Sequence, residues 1–197
     1  MTARVHQIWR HPIKSHGREA LDSVTLIAGQ TMPWDRHWAV THAATKFDAD
    51  DPKWVMCRNF MLGVATPGLA GILAKLNPET ATVTLDHADL GTLTFAPDDP
   101  AQFARFAAWV TPLCPKDKHQ PTGIAKAPQR GMTDSPYPSL SIMTTASHNA
   151  VADQLGAPLE IERWSGNIWL DGPNAWSEFD WTNRDIRIGG AILAVRE

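Results

Sequence analysis

Apolar and polar residues in the first hundred positions follow a pattern that predicts short β-strands joined by turns. Strands are expected at residues 5–10, 20–27 and 36–42; the second alternates with one slip, and the third carries its apolar side chains on one face. Residues 80–85 and 91–95 flank a short connection and predict a β-hairpin. The spacing of these strands favours a small barrel or sandwich.

The clearest helix of the chain follows these strands. Its apolar residues recur at helical spacing over residues 103–110, Asp99 is placed to cap its start, and Pro112 ends it. Two earlier apolar segments, residues 54–62 and 69–76, are ambiguous. We assign neither of them, since the second fits a strand and two turns of helix equally well.

The second half of the chain begins with a long connection, residues 114–138, which is rich in Pro, Lys and Gln and lacks periodicity. A strand at 139–144 and a helix at 146–155 come next, with Thr145 as the expected cap and Gly156 at the helix end. Four more strands are expected, at residues 159–163, 167–171, 185–188 and 191–195. The predicted fold class is therefore mainly β with a few helices (α+β).

Composition narrows the class of protein. Of the 197 residues, 43% are hydrophobic and 20% charged, which is typical of a globular domain and disfavours disorder or coiled coil. The net charge of −3 argues against a nucleic-acid partner. No apolar run approaches the ~20 residues of a membrane helix, and the N-terminus lacks a secretory signal, so we expect a cytoplasmic protein without membrane contact. The unusual feature is nine Trp against one Tyr.

The histidines and cysteines do not form a recognisable metal motif. His6, His11 and His16 recur every five residues, a spacing that sends successive side chains to opposite faces of a strand. Cys57 and Cys114 lack a Cys-x-x-Cys spacing and are expected to be reduced thiols. Phosphate-binding loops of the two standard Gly-rich types are also absent from the sequence. We therefore assign no metal ligand and no catalytic residue.

Polar residues at three places in the sequence could surround an anion. Lys14 and Ser15 follow a predicted strand, where free backbone N–H groups can join them. Arg36 begins another strand, and Ser147 stands near the start of the second helix, whose unpaired N–H groups favour a phosphate.

A plainer interpretation explains the same residues without a ligand. In that alternative Thr145 is only a helix cap, Lys14 is solvated, and Arg36 pairs with Asp35. Composition alone favours this alternative, so residue type does not decide between the two.

Five segments, taken in order, resemble the MOSC proteins, a family named after the C-terminal domain of molybdenum cofactor sulfurases. The segments are residues 8–15 (IWRHPIKS), 35–40 (DRHWAV), 162–172 (ERWSGNIWLDG), 175–181 (AWSEFDW) and 186–191 (IRIGGA). The resemblance implies an N-terminal β-rich, barrel-like domain at 1–113, a connecting loop at 114–138, and at 139–197 the front part of a MOSC β-barrel, which is expected to be incomplete.

The resemblance also implies a cofactor, the molybdopterin form of the molybdenum cofactor. The residues that it places on this cofactor are Lys14, Ser15, Arg36, Ser147, Arg163 and Asn167. The first three would hold its phosphate and Asn167 would contact it from the other side. Arg163 would replace an arginine that the family usually carries two residues before the asparagine, where this chain has Ser165. At the level of the family, pyridoxal phosphate binding is implied as well.

Similar proteins reduce N-hydroxylated or other N-oxygenated small molecules, with electrons from a reductase or a ferredoxin-like donor. The family binds molybdenum through a cysteine beyond the strand at 191–195, whereas this sequence stops at Glu197. The enzyme assignment therefore stays open. One alternative is a non-enzymatic carrier of the molybdenum cofactor or of sulfur. Another is a Trp-rich β interaction module.

Overall fold

A computed structural model describes residues 3–126 and 130–197. The described residues form strands, two α-helices and several short 3₁₀ turns, which confirms the mainly β class. The strands are β1 (Arg4–Arg10), β2 (Ile13–Lys14), β3 (Glu19–Leu21), β4 (Trp38–Thr41), β5 (Leu73–Asn77), β6 (Thr82–His87), β7 (Gly91–Phe95), β8 (Gly123–Lys126), β9 (Ile142–Thr144), β10 (Ile168–Asp171), β11 (Asp185–Ile188) and β12 (Ala191–Ala194). The helices are α1 (Phe103–Val110) and α2 (Thr145–Leu155). Neither helix is long and apolar enough to cross a membrane.

The chain divides into two units of unequal size. The larger unit comprises residues 10–19, 27–126 and 130–139. The smaller unit comprises residues 3–9, 20–26 and 140–197. Each unit therefore draws on segments that are distant in the sequence.

The larger unit contains two three-stranded sheets. In one of them β5, β6 and β7 form an antiparallel meander, while in the other β4 pairs parallel with β2 and antiparallel with β8. Neither sheet closes into a barrel. The main core contains the buried residues Ile13, Trp38, Val40, Met61, Leu69, Ile72, Ala74, Leu76, Val83, Leu85, Leu93, Phe95, Phe106, Val110 and Cys114.

The hairpin β6–β7 and helix α1 confirm the strongest sequence patterns. Alternate residues of the hairpin, such as Leu85 and Phe95, are buried while the threonines between them face outward. The Asp99 side chain accepts a hydrogen bond from the N–H of Ala101 at 2.9 Å and so caps the 3₁₀ turn Pro100–Gln102 that leads into α1, whereas the first residue before α1, Gln102, makes no side-chain cap. Phe106 of α1 stacks on Phe95, with ring centroids 4.9 Å apart, so the helix packs against the meander.

The smaller unit contains a four-stranded sheet in the order β3-β1-β10-β9 and a separate hairpin, β11–β12. Strands β9 and β10 are parallel and are joined through α2. The helix is capped by Thr144 rather than by Thr145 as expected, and it ends at Gly156, whose φ of 66° is the left-handed conformation of a helix C-terminus. The two strands expected at residues 185–188 and 191–195 are present, and they pair with each other in antiparallel orientation.

The structure differs from the expected elements in three places. The strand expected at 20–27 extends only to Leu21. Residues 159–163 end in a 3₁₀ turn, Ile161–Arg163, and the Leu159 carbonyl accepts a hydrogen bond from the His148 ring instead of a neighbouring strand. The connection at 114–138 contains strand β8; its residues 127–129 lie outside the described residues. In each case the segment forms a strand only where a neighbouring strand is present to pair with it, whatever its local sequence pattern.

The structure also assigns the two ambiguous segments, residues 54–62 and 69–76. Residues 54–62 contain a 3₁₀ turn, Cys57–Asn59, and residues 69–76 begin within the 3₁₀ turn Pro67–Gly71 and continue into β5.

Candidate anion-binding site

Two short segments of the larger unit, one before β2 and one before β4, lie side by side. The Arg36 N–H donates to the His11 carbonyl at 2.6 Å, and the Trp38 N–H donates to the Pro12 carbonyl at 3.2 Å. These bonds precede the parallel pairing of β2 with β4. They fix the two segments in one register, the first continuing through β2 to Ser15 and the second running from Trp34 through Arg36 to β4.

Lys14 is buried, which differs from the solvated side chain of the plainer interpretation. Its side chain is only 4% exposed. The ammonium donates to the Met132 carbonyl at 3.0 Å and to the Asp134 carboxylate at 2.5 Å. Asp134 itself is 72% exposed, so the carboxylate lies between the buried ammonium and solvent. The ammonium is therefore held by a carbonyl on the inside and an anion on the outside.

The Arg36 guanidinium pairs with Asp35, as the plainer interpretation predicts. The Asp35 side chain is fully buried, and it also accepts a hydrogen bond from the His11 N–H at 2.8 Å. Burial alone would raise the pKa of Asp35, but the guanidinium and the contacts with His11 hold that pKa well below its usual range. Asp35 is thus a buried anion that holds Arg36.

The ring of His11 lies against the same carboxylate. Its Nδ1 is 3.5 Å from the Asp35 carboxylate. Burial lowers the pKa of His11, although Asp35 acts in the opposite direction. Near neutral pH the ring is therefore uncharged, and the charges at this point are those of Asp35 and Arg36.

The backbone of Met132 contacts the Lys14 ammonium and the backbone of Arg36. Its carbonyl accepts from the Lys14 ammonium, and its N–H donates to the Arg36 carbonyl at 2.7 Å. The chain approaches so closely here that a Cβ on Gly131 would lie 2.1 Å from the carbonyl oxygen of Asp35. Only glycine fits at such a distance. Lys14 and Arg36 are therefore neighbours of one backbone segment.

Three non-glycine residues in the two segments have left-handed backbone conformations. Their φ angles are 62° at Ser15, 64° at Trp34 and 50° at Arg36. Such conformations cost about 1–3 kcal/mol each and cluster at functional sites, where the surrounding structure enforces them. Two of the three residues are ones that the sequence assigned to phosphate binding, which makes this region the strongest candidate site.

The segment that carries Met132 and Asp134 is shaped by Arg130. Its guanidinium donates to the three successive carbonyl groups of residues 135–137 at 2.8–3.1 Å. The same guanidinium lies 5.3 Å from the ring centroid of Trp54. One side chain thus closes the segment on itself, and this closure holds the groups that face Lys14.

Ser147, a candidate of the smaller unit, is buried at the start of α2. Its hydroxyl oxygen accepts from the Trp176 N–H at 2.8 Å and lies 2.8 Å from the Thr144 hydroxyl. The Glu178 carboxylate accepts from Thr144 at 3.2 Å. A carboxylate of the protein therefore stands beside this helix start.

Asn167 and Arg163, the other candidates of the smaller unit, have different environments. The Asn167 side chain is buried; its oxygen accepts from the Ser141 N–H at 3.1 Å and its nitrogen donates to the Trp9 carbonyl at 3.1 Å. Arg163 is exposed at the end of its 3₁₀ turn. The roles of both residues, and of Ser147, in cofactor binding stay predictions.

The two cysteines are free thiols that differ in burial. Cys114 is buried, which raises the pKa of its thiol, and Cys57 is half-buried. Over residues 3–126 and 130–197, no group of three or more His, Cys, Asp or Glu side chains lies close enough to hold a metal ion. Trp38 and Trp169 are fully buried, and Trp176 is the most exposed of the nine at 46%.

Sequence reasoning missed Asp134, Met132 and Arg130. All three lie in the segment that the sequence predicted to be a structureless connection. Met132 contributes only backbone groups, which no side-chain pattern can reveal. The Gly131 beside it was a usable signal, because an isolated glycine often marks a close backbone approach.

The structure is that of a mainly β protein whose larger unit buries two cationic side chains, Lys14 and Arg36. The family model of the MOSC N-terminal beta barrel domain matches residues 2–113, more than half of the chain, so the protein belongs to this family. The matched range contains Lys14, Ser15 and Arg36. Comparison with curated proteins gives no match.

Proposed function

We propose that the protein binds the molybdenum cofactor and that Lys14, Ser15 and Arg36 hold the phosphate of its molybdopterin. The observation that carries the proposal is the buried Lys14 ammonium, which already holds a carboxylate oxygen at 2.5 Å. A carboxylate and a phosphate offer the same chemistry to an ammonium, namely anionic oxygen acceptors. Family membership supports the same choice of ligand.

The residues present fit a terminal phosphate. Such a group is a dianion that requires charge-assisted donors, and ammonium and guanidinium groups are the usual ones. Lys14 and Arg36 bring two positive charges, of which Asp35 balances one. Ser15 lies next to Lys14 in a left-handed conformation that the fold enforces. Asp134 balances the other positive charge, so the site carries a net positive charge only if the ligand takes the place of Asp134.

When bound, the cofactor would supply two-electron redox chemistry at molybdenum. The residues of this chain would bind and orient it: the Lys14 ammonium as a point charge, Arg36 as a planar donor held by Asp35, and Ser15 as a hydroxyl donor. The proposed reaction is reduction of small N-oxygenated molecules, with electrons from a reductase or a ferredoxin-like protein.

The experiment measures cofactor content instead of activity. The protein is purified from a host that makes molybdopterin, and molybdenum is measured by elemental analysis alongside pterin by fluorescence after oxidation. We expect near-stoichiometric amounts of both. Lys14→Met, which removes the ammonium and keeps the aliphatic stem, should lower the retained pterin at least tenfold, since a charged hydrogen bond contributes about 1.5–3 kcal/mol.

A matched control removes a cation elsewhere in the larger unit. Lys75→Met on strand β5 is exposed and should retain pterin at the level of the unsubstituted protein. If Lys14→Met and Lys75→Met retain equal pterin, Lys14 does not hold the cofactor. If the purified protein carries pyridoxal phosphate and no pterin, the phosphate site stands but its assignment to the molybdenum cofactor is wrong.

A further inference from the structure

We propose that Asp134 is an internal competitor for the phosphate: its carboxylate covers Lys14 in the ligand-free protein and must leave when the ligand binds. This inference rests on the proposed phosphate site and deepens it, because it identifies what sets the affinity of that site. It follows from the pairing of a buried ammonium, that of Lys14, with an exposed carboxylate, that of Asp134.

The geometry gives the two contacts of the ammonium different characters. The Met132 carbonyl belongs to a backbone segment that is itself bonded to Arg36, and Met132 is fully buried. The Asp134 carboxylate, in contrast, is 72% exposed and is attached by a rotatable side chain. Rotation of that side chain into solvent uncovers the ammonium without breaking the contact with Met132.

The exchange is balanced in hydrogen bonds. An ammonium has three N–H donors, of which one is used by Met132 and one by Asp134. When a phosphate oxygen replaces the carboxylate oxygen, the donor finds an equivalent acceptor and the released carboxylate is hydrated. With Asp134 in place, the charges of Lys14, Arg36, Asp35 and Asp134 sum to zero. Once the Asp134 carboxylate has moved away, the other three leave a net positive charge for the phosphate.

Arg130 makes this movement local. It binds the carbonyl groups of residues 135–137 and thereby holds the segment that follows Asp134. The backbone of the segment can therefore stay in place while one side chain moves. An affinity cost follows, because ligand binds only the fraction of molecules in which the ammonium is uncovered.

The experiment titrates inorganic phosphate by calorimetry, at fixed ionic strength, into protein purified from a host that does not make molybdopterin, so that the proposed site starts without cofactor. Asp134→Asn keeps the shape of the side chain and removes its charge, and we expect phosphate to bind about three- to tenfold more tightly, as when the competent fraction rises from about 10–30% towards one. Asp51→Asn is the matched control: Asp51 is also exposed and pairs with a lysine, Lys53, at 2.5 Å. It changes the net charge equally and should leave phosphate affinity unchanged.

The outcomes separate this inference from the proposed site. If Lys14→Met abolishes phosphate binding but Asp134→Asn binds no more tightly than the unsubstituted protein, the site stands and the competitor is refuted. If Asp51→Asn tightens binding as much as Asp134→Asn, the effect is one of total charge, and the competitor is again refuted. If neither the unsubstituted protein nor Asp134→Asn binds phosphate, the site itself is refuted.

Discussion

Replacing Asp35 with alanine removes a fully buried carboxylate that accepts from both the Arg36 guanidinium and the His11 N–H. The guanidinium, itself only 9% exposed, loses its counter-charge, and breaking such a buried pair from one side costs about 3–5 kcal/mol. That figure includes the penalty of about 1–3 kcal/mol for a buried group whose hydrogen bond is lost. We therefore expect the free energy of unfolding to fall by about 3–5 kcal/mol.

Urea denaturation with linear extrapolation measures this change. Asp51→Ala is the control, since its pair with Lys53 is exposed on both sides and contributes at most about 1 kcal/mol. If the two variants lose stability equally, the pair of Asp35 with Arg36 does not stabilise the site and the reasoning is refuted.

The pH dependence of stability gives a second test of Asp35. Its folded-state pKa lies below the ordinary value of 3.8, so the unfolded chain takes up a proton at a higher pH than the native protein does. The stabilisation is therefore complete above about pH 4–5 and is lost as the pH falls through the folded-state value. Asp35→Ala should show a flatter decline in acid; a decline as steep as that of the unsubstituted protein would contradict the assignment.

Two further predictions concern the fold around the site. Gly131→Ala should destabilise the protein by more than about 2 kcal/mol in the same denaturation assay, because the new Cβ would lie 2.1 Å from the Asp35 carbonyl oxygen. Gly63→Ala is the control: open space surrounds Gly63, so the change in stability should stay below about 1 kcal/mol. Burial lowers the pKa of His16 from 6.5 to about 4. Between these two pH values only the unfolded chain binds the proton, so the free energy of unfolding should fall by about 3 kcal/mol from pH 6.5 to pH 4. His16→Gln should remove that part of the slope; an unchanged slope would show that the ring does not stay neutral.

Elements with a complete local signal could be predicted from the sequence, and elements that depend on a distant partner could not. The hairpin β6–β7 pairs within fifteen residues, and α1 follows directly on a 3₁₀ turn, Pro100–Gln102, that the adjacent Asp99 caps. Strand β8 has only four residues, and it pairs with β4, more than eighty residues earlier, so its own pattern is too short to reveal it. The reverse happened at 159–163, where an alternating pattern did not become a strand.

The candidate site divides in the same way. Lys14 and Arg36 could be proposed because their charge is visible in the sequence beside a strand. The contacts that define their environment, from Met132 and from Asp134, are made across more than a hundred residues. Local reasoning therefore predicted both cations and the pair of Arg36 with Asp35, and it missed the groups that hold Lys14.

The contact between Lys14 and Met132 has a consequence for how the protein is made. The two residues are 118 positions apart, and a contact that closes so long a loop forms late in folding because of its entropic cost. During synthesis Lys14 leaves the ribosome well before Met132 does, so a nascent chain that has completed the matched range 2–113 does not yet contain the group that orients its lysine. Under the proposed function, cofactor loading would therefore follow translation of the segment around residue 132, and a fragment ending at residue 113 should not retain phosphate.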